Sequence, residues 1–272
     1  MRFKKILFPT DFSENANNAL RYATEIASAF NSDIILLHTY KIPTPPFLKY
    51  GDASNEISEQ ENEIRNGIAA AEKVIYSINK NLLVSSAVKS GDPTDVLLAI
   101  IPEINADLIV MGTKGASGIK EILIGTYTVE VMSNAPIPVL AIPERAYYKP
   151  IHTITFATEL KSQQNQLKEL LHFASIFNAD ITVLNLSSDI ENEEQYKGLS
   201  TYNNEKPKFV WNLPRKGDKE RTIRSYLAQY PTDVLALVRK SHPFPQSLFE
   251  EDYVKEFTYH SHIPILILPG HD

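Results

Sequence analysis

Short apolar runs alternate with stretches of helical periodicity along the first half of the chain. The apolar runs of strand length are residues 4–8, 33–39, 82–88, 107–111 and 139–142. Between them, apolar positions recur at helical spacing from Ala16 to Phe30, and again over residues 56–79 and 93–101. Ser13 and Pro93 stand where helices begin, as a cap and as a first-turn proline. Apolar strands that alternate with helices predict a parallel sheet covered on both faces.

The same arrangement occurs twice in the 272 residues. Phe30 matches Phe177 at an offset of 147 residues, and Asp107 matches Asp233 at an offset of 126 residues. The second copy therefore lacks 21 residues, which fall on its second helix, at residues 189–206. We expect that helix to be short and partly irregular. The repeat predicts two domains, at residues 1–143 and 151–272, joined by a polar connector that ends in Pro150.

Each copy ends in an apolar strand, at residues 136–142 and 263–268. An uncovered apolar edge strand is prone to aggregation. We therefore expect the two final strands to pair across a pseudo-twofold axis, so that one chain forms an intrachain pseudo-dimer. A further homodimer of two chains is left open.

Composition and charge narrow the choice of partners. The net charge is -6, with 27 basic and 33 acidic side chains, which disfavours a broad grip on nucleic acid or on an anionic membrane. The absence of cysteine excludes disulfides and thiolate metal sites. Pro9 and Asp11 interrupt the apolar start before it reaches the length of a signal core, and no run is long enough to span a bilayer. We expect a soluble cytoplasmic protein.

The most informative motif follows the fourth strand and combines three glycines at fixed spacing. Gly112 is followed after two residues by Gly115, and after nine more by Gly125 and Thr126. Glycines let backbone N–H groups approach an oxyanion, and a helix that begins at Gly125 would direct the positive end of its dipole there. The motif predicts an anion cradle, with Lys114 supplying charge and Thr126 and Thr128 supplying hydroxyls. The alternative is a loop whose glycines serve turn geometry and packing.

A second candidate lies at the end of the first strand, in Pro9, Thr10 and Asp11. Ligands of open α/β sheets bind beyond the carboxyl ends of strands, where the strand order reverses. If the first and fourth strands are neighbours, Asp11 and Gly112 face one crevice. A carboxylate repels phosphate, so we expect Asp11 to accept hydrogen bonds from ribose hydroxyls or base amines. The alternative is that Asp11 ends the strand and helps to cap the next helix.

These segments together resemble the universal stress protein family. The resemblance is carried by ILFPTDFSE at the start, ILLH, SGDP and the block DLIVMGTKG…GT…APIPVLAIP, and it covers the first copy from end to end. It implies a doubly wound, Rossmann-like α/β fold, with five parallel strands in the order 3-2-1-4-5. The glycine spacing is similar to that family's ATP-binding signature.

The resemblance also implies a role for each residue of the site. Pro9, Thr10, Asp11, Thr39, Met111 and Gly112 would hold the adenosine end. Lys114, Gly115, Gly125, Thr126, Tyr127 and Thr128 would hold the phosphates. Tyr127 stands where we expect a small β-branched residue. No catalytic residue and no metal ligand is assigned.

The second copy has lost the pattern. At the offset of 126 residues Gly112 becomes Val238, Gly115 becomes Ser241, Gly125 becomes Glu251 and Thr126 becomes Asp252. At the offset of 148 residues that applies to the first strand, Asp11 becomes Glu159. Side chains and two carboxylates then occupy the place of an oxyanion, and like charges at close range cancel ordinary affinity. We expect the second copy to bind no nucleotide.

The function predicted from the sequence is that of a stress-response protein that binds and senses ATP through one site. The first alternative is a slow ATPase or phosphotransferase that uses the same site. The second is a scaffold that binds no nucleotide. Whether Mg²⁺ accompanies ATP, whether AMP competes, and which protein partner responds are left open.

Overall fold

The structure is a computed structural model that describes residues 3–41, 53–114, 125–158, 164–186, 208–211, 219–239 and 262–270. The strands are β1 Lys5–Pro9, β2 Asp33–Tyr40, β3 Val84–Ser90, β4 Leu108–Gly112, β5 Val139–Ile142, β6 Thr153–Thr158, β7 Asp180–Asn185, β8 Lys208–Trp211, β9 Val234–Val238 and β10 Ile265–Leu268. The helices are α1 Glu14–Phe30, α2 Ala53–Ile78, α3 Pro93–Ile104, α4 Thr126–Asn134, α5 Gln164–Phe177 and α6 Lys219–Gln229. None of these helices has the length and apolarity that crossing a bilayer demands.

All ten strands form one sheet, in the order β3-β2-β1-β4-β5-β10-β9-β6-β7-β8. Within each half the pairing is parallel, and each half has the order 3-2-1-4-5 when its own strands are numbered along the chain. β5 and β10 pair antiparallel and join the two halves. The predicted α/β fold and the predicted pairing of the two final strands are confirmed.

The two halves are related by a pseudo-twofold axis that passes between Leu140 and Leu266. These two residues are partners in the β5–β10 register, and they are also equivalent at the offset of 126 residues. Phe30 and Phe177, equivalent at an offset of 147 residues, likewise meet, with ring centroids 5.6 Å apart. Contact between equivalent residues is the mark of an isologous interface, here formed within one chain.

Two apolar layers cover the two faces of the sheet, and each layer runs through both halves. Successive strand residues alternate between them, so Phe8 and Phe156 lie in one layer and Leu7 and Leu237 lie in the other. Buried residues of α1, α2 and α5 belong to the first layer, and those of α3, α4 and α6 to the second. Because the halves share one sheet and both layers, the division into domains at residues 1–143 and 151–272 stays a prediction.

The repeat is also visible in the way that the central strand of each half begins. A carboxylate oxygen of Asp107 accepts a hydrogen bond from the backbone N–H of Lys5 at 3.0 Å, at the start of β1. Asp233, its equivalent, accepts from the backbone N–H of Thr153 at 2.9 Å, at the start of β6. The same residue type therefore performs the same task at both repeat positions. The expected second helix of the second copy, at residues 189–206, lies outside the described residues.

Candidate functional site

A crevice of about 390 Å³ opens at the carboxyl ends of β1 and β4. These strands are neighbours, and they are followed by helices on opposite faces of the sheet, which is the geometry of a topological switch point. Its volume lies in the usual range of small-molecule sites. The lining residues are Pro9, Thr10, Asp11, Ala16, Leu37, Thr39, Pro93, Met111, Gly112, Lys114, Gly125, Thr126, Tyr127 and Thr128.

Eleven of the twelve residues predicted from the sequence line this crevice; the twelfth, Gly115, lies outside the described residues. Sequence reasoning missed Ala16, Leu37 and Pro93, which also line it. Leu37 and Pro93 lie in the ILLH and SGDP segments that carry the resemblance, so their positions could have suggested them, whereas Ala16 is one of several apolar residues at helical spacing and has no distinguishing signal.

Local hydrogen bonds shape the turn between β1 and α1. The Thr10 hydroxyl oxygen accepts from the backbone N–H of Phe12 at 3.0 Å, and an Asp11 carboxylate oxygen accepts from the N–H of Ser13 at 3.0 Å. Phe12 adopts a left-handed φ of 62°, and its ring stacks on His38 with centroids 4.6 Å apart. Asp11 therefore helps to form the helix entry, as the alternative interpretation proposed, and it also lines the crevice.

α2 supports this turn through a residue that the sequence did not single out. A side-chain carbon at Gly67 would lie 2.5 Å from the ring of Phe12, which is too close for any real contact. Gly67 thus lets α2 approach the turn that carries Thr10 and Asp11. The contact between Gly67 and Phe12 depends on the tertiary structure, and no feature of the local sequence predicts it.

The first turn of α4 presents backbone N–H groups at the crevice. Gly125 is the N-cap residue, and no side chain of the described residues caps this helix. The first bond within the helix runs from the Val129 N–H to the Gly125 carbonyl, so the amides of residues 126–128 have no partner inside the helix. The Gly125 N–H itself donates to the Thr113 carbonyl at 2.7 Å and fixes the helix to the end of β4. This arrangement suits an anion.

Neither Gly112 nor Gly125 is required by the backbone. Gly125 has φ −67° and ψ 153°, which any residue adopts, and a side-chain carbon there would meet the Thr113 carbonyl oxygen at an ordinary 3.7 Å. The nearest atom to a side-chain carbon at Gly112 would be the Lys114 carbonyl oxygen, at 3.5 Å. Within the part of the chain that the structure describes, neither turn geometry nor close packing therefore requires glycine at these two positions.

Two polar side chains of the crevice, those of Lys114 and Thr128, already have partners within the chain. The Lys114 ammonium lies 2.9 Å from a Glu144 carboxylate oxygen, and the Lys114 side chain is only 11% exposed. The Thr128 hydroxyl donates to the Gly112 carbonyl at 3.1 Å, so it ties α4 to β4. Lys114 can supply positive charge to a ligand only in competition with Glu144.

Tyr127 occupies the wall of the crevice without disturbing the helix. Its ring packs against the apolar layer that contains α4. Burial raises the pKa of Tyr127 above its usual value, and the negative charges of Asp92 and Asp11 raise it further. The phenol is therefore neutral at physiological pH and keeps its proton for donation.

Two positions of the second half carry larger side chains than their equivalents in the first half. Val238 replaces Gly112 at the end of the fourth strand, and Gln166 replaces Ala19 on the first helix. Gln166 is 2% exposed and donates to the Pro269 carbonyl at 3.1 Å. The other predicted changes, at Glu159, Ser241, Glu251 and Asp252, lie outside the described residues.

The described acidic and histidine side chains form no group of three or more that could hold a metal ion. The lining residues that the structure describes offer backbone amides, hydroxyls, one ammonium and one carboxylate. Such a donor set suits a polar organic anion.

Comparisons with known proteins agree with this architecture. The model of the universal stress protein family matches residues 2–143. A universal stress protein of Methanocaldococcus jannaschii is 30% identical over 156 residues, which cover 53% of this chain and 96% of that protein. A second one from the same organism is 32% identical over 143 residues, covering 52% of this chain and 82% of the relative.

Solved structures extend the likeness of fold to both halves. A universal stress protein from Archaeoglobus fulgidus superposes with a TM-score of 0.73 at 17% identity, over 99% of this chain and 98% of the other. A universal stress protein from Pseudomonas aeruginosa gives a TM-score of 0.61 at 14% identity, over 98% and 93%. The second half, which lies outside the residues 2–143 matched by the family model, is therefore included in the likeness of fold.

Proposed function

The chain belongs to the universal stress protein family, and we propose that it is an ATP-binding sensor whose single nucleotide site is the crevice between β1 and β4. One observation carries the proposal. The uncapped first turn of α4 and two glycines that the backbone does not need meet at a crevice of ligand size. The glycine spacing resembles the family's ATP-binding signature.

The two ends of the crevice differ in chemistry, and this supports a division of the ligand. The end formed by Pro9, Thr10, Asp11, Thr39, Met111 and Gly112 offers a carboxylate and hydroxyls, which suit ribose and base. The end formed by Lys114, Gly125, Thr126, Tyr127 and Thr128 offers amides and an ammonium, which suit phosphates. Gly115 lies outside the described residues, and we assign it to the phosphates from the glycine spacing alone.

The Lys114–Glu144 ion pair reduces the affinity for phosphate, because it must be broken before Lys114 can bind the ligand. A phosphate that recruits the Lys114 ammonium must replace the Glu144 carboxylate, which is 45% exposed and therefore readily rehydrated. Glu144 opens the connector to the second half. Occupancy of the crevice is thereby sensed at the junction, which fits a sensor.

We assign nucleotide binding to a domain at residues 1–143 and propose that the domain at residues 151–272 binds none. Val238 and Gln166 support this assignment, since they place bulk where the first half has Gly112 and Ala19. The protein then has one site per chain.

The test measures ATP binding to the full chain by calorimetry, for the wild type and for Gly125→Asp. An aspartate at the N-cap accepts from the free amides of α4, so the variant should be as stable as the wild type or more stable by about 0.5–1 kcal/mol. The same carboxylate stands beside the phosphates. At ~4 Å and an effective dielectric near 20 the repulsion is about 4 kcal/mol, so ATP binding should weaken by at least a hundredfold.

Gly125→Asn is the matched control, since it has the same shape and capping ability without the charge. We expect Gly125→Asn to lose less affinity than Gly125→Asp. Titrations with and without Mg²⁺ decide whether the cation accompanies the nucleotide, and a single-turnover assay decides whether ATP is hydrolysed. Two ATP molecules per chain, no binding to the wild type, or unchanged binding to Gly125→Asp would each refute the proposal.

A further inference from the structure

Helix α4 joins the crevice of the first half to the second half. Its first turn lies at the crevice, and its C-cap residue, Ala135, lies at the other end, nine residues later. There the Arg239 guanidinium, from the second half, donates through Nη1 to the Ala135 carbonyl at 2.6 Å. The two ends of one short helix therefore contact different halves of the protein.

Arg239 is itself held in place by the sheet. It directly follows β9, and its N–H donates to the Leu268 carbonyl of β10 at 2.9 Å. Gly270 packs so closely on the Arg239 carbonyl that any side-chain carbon at Gly270 would overlap it. Arg239 is half-buried, and its guanidinium remains charged at any physiological pH.

The contact has two consequences for α4. The Ala135 residue is only 1% exposed, so its carbonyl needs a donor from the protein, and Arg239 supplies it. The guanidinium also places a positive charge at the negative end of the helix dipole. At the other end the Gly125 N–H and the Thr128 hydroxyl bind the Thr113 and Gly112 carbonyls.

Arg239 also stands at an informative place in the repeat. At the offset of 126 residues it corresponds to Thr113, which follows Gly112 at the end of β4. The first half has a threonine at this position, between two residues that line the crevice, whereas the second half has an arginine that reaches across to the first half. The hydrogen bond therefore runs from the second half to a helix that lines the crevice of the first half.

We propose that Arg239 is a positioning residue for the site of the first half, which it serves by fixing α4 so that the amino-terminal amides of α4 face the crevice. The proposal rests on the proposed function for its ligand. In this proposal the second half supports the site of the first half without binding a nucleotide itself.

The test uses the full chain and the variants Arg239→Met and Arg239→Lys, with Arg21→Met as the control. Arg21 is an exposed arginine on α1, so its replacement removes the same charge from a solvated site. Equilibrium dialysis measures the Kd values for ATP and for adenosine. Hydrogen exchange without any ligand measures the protection of the α4 amides.

We expect Arg239→Met to weaken ATP binding by about 5- to 20-fold, the usual range for coupling between sites, and to leave adenosine binding within about twofold. The α4 amides should exchange faster in the free protein. Arg239→Lys keeps the charge and one donor, so it should recover part of both effects. Arg21→Met should change neither. If Arg239→Met does not fold, Arg239→Lys is judged alone, by the same split between ATP and adenosine.

Each contrary result has its own meaning. Unchanged exchange in α4 would overturn the positioning role, whether or not the protein binds nucleotide. Equal weakening of ATP and adenosine would also overturn it, because general destabilisation does not distinguish the phosphate end. Failure of the wild type to bind ATP would refute the proposed function instead, and the exchange data would still decide whether Arg239 positions α4.

Discussion

Asp233 accepts hydrogen bonds from the backbone at the start of β6, as Asp107 does at the start of β1. Asp233 also forms an ion pair with Lys149. A carboxylate oxygen of Asp233 lies 2.7 Å from the Lys149 ammonium. Burial alone would raise the pKa of Asp233, but hydrogen bonds from Lys149 and from the N–H groups of His152 and Thr153 outweigh it and hold the pKa below its usual value. The ionised form is thus the one that stabilises the fold.

Asp233→Asn should lower the free energy of unfolding at pH 7 by about 1–3 kcal/mol, since it weakens hydrogen bonds to a charged group. Because the pKa of Asp233 is lower in the folded state, its contribution is complete above the unfolded value of about 4 and is lost as the pH falls through the folded value. The difference between wild type and variant should therefore shrink below pH 4. Urea unfolding at several pH values measures it.

Glu61→Gln is the control for this pH series, because Glu61 is an exposed carboxylate on α2. It should change the unfolding free energy by less than about 0.5 kcal/mol at every pH. A difference for Asp233→Asn that stays constant down to pH 3 would show that the charge of Asp233 is not what stabilises the strand start.

The residue types in the motifs predicted the polar residues of the crevice, but they did not predict which side chains contact one another. The motifs at Pro9 and Gly112 were visible because parallel strands bring their carboxyl ends to one edge. The ion pair between Lys114 and Glu144 joins residues 30 positions apart, and the packing of Gly67 on Phe12 joins α2 to a turn. Such contacts depend on tertiary distance, which a single sequence does not encode locally.

At the scale of elements, three helices end in the same way. Asn31, Asn105 and Asn178 follow α1, α3 and α5, with φ values of 53°, 52° and 52°. The left-handed region disfavours side chains with a Cβ, but asparagine tolerates it better than most residues. Asn31 and Asn178 are equivalent in the repeat, so both halves end this helix with a left-handed asparagine.

Asn31→Ala should cost about 1 kcal/mol of stability, whereas Asn31→Gly should be neutral or slightly stabilising, because glycine adopts positive φ without strain. The two variants remove the same side-chain amide, so their difference isolates the backbone conformation. Chemical denaturation of both, and of the same pair at Asn178, measures it. Equal stabilities for the alanine and glycine variants would contradict the left-handed cap.

Element boundaries show where sequence patterns stop being sufficient. The predicted strand at residues 139–142 is the observed β5, but the predicted strand at residues 82–88 is observed as Val84–Ser90. Leu82 is buried, yet pairing with β2 begins only at Val84. Apolar patterning reports burial, whereas the limits of a strand depend on the register of its neighbour. An edge strand such as β3, largely exposed, carries the weakest pattern.

For the whole molecule, the repeat predicted that the two final strands would pair, but not where the axis lies. Pairing of equivalent residues follows from twofold symmetry, so any residue of β5 could have faced its own counterpart. The structure places Leu140 opposite Leu266. Side-chain packing in the two shared layers selects that register, and those layers also make each half part of the other's core.

Shared layers predict that the two halves unfold together, and the single tryptophan makes this measurable. Trp211 lies in β8, at the edge of the sheet farthest from the half that carries the crevice. ATP at about 100 times its Kd stabilises the folded state by about 2.7 kcal/mol, which should raise the midpoint of thermal unfolding by several degrees. If unfolding is cooperative, tryptophan fluorescence should report the full shift although the proposed nucleotide site lies in the other half. Gly125→Asp should show no shift. A fluorescence midpoint that ignores ATP while far-ultraviolet circular dichroism responds would mean that the halves unfold separately, in spite of their common sheet.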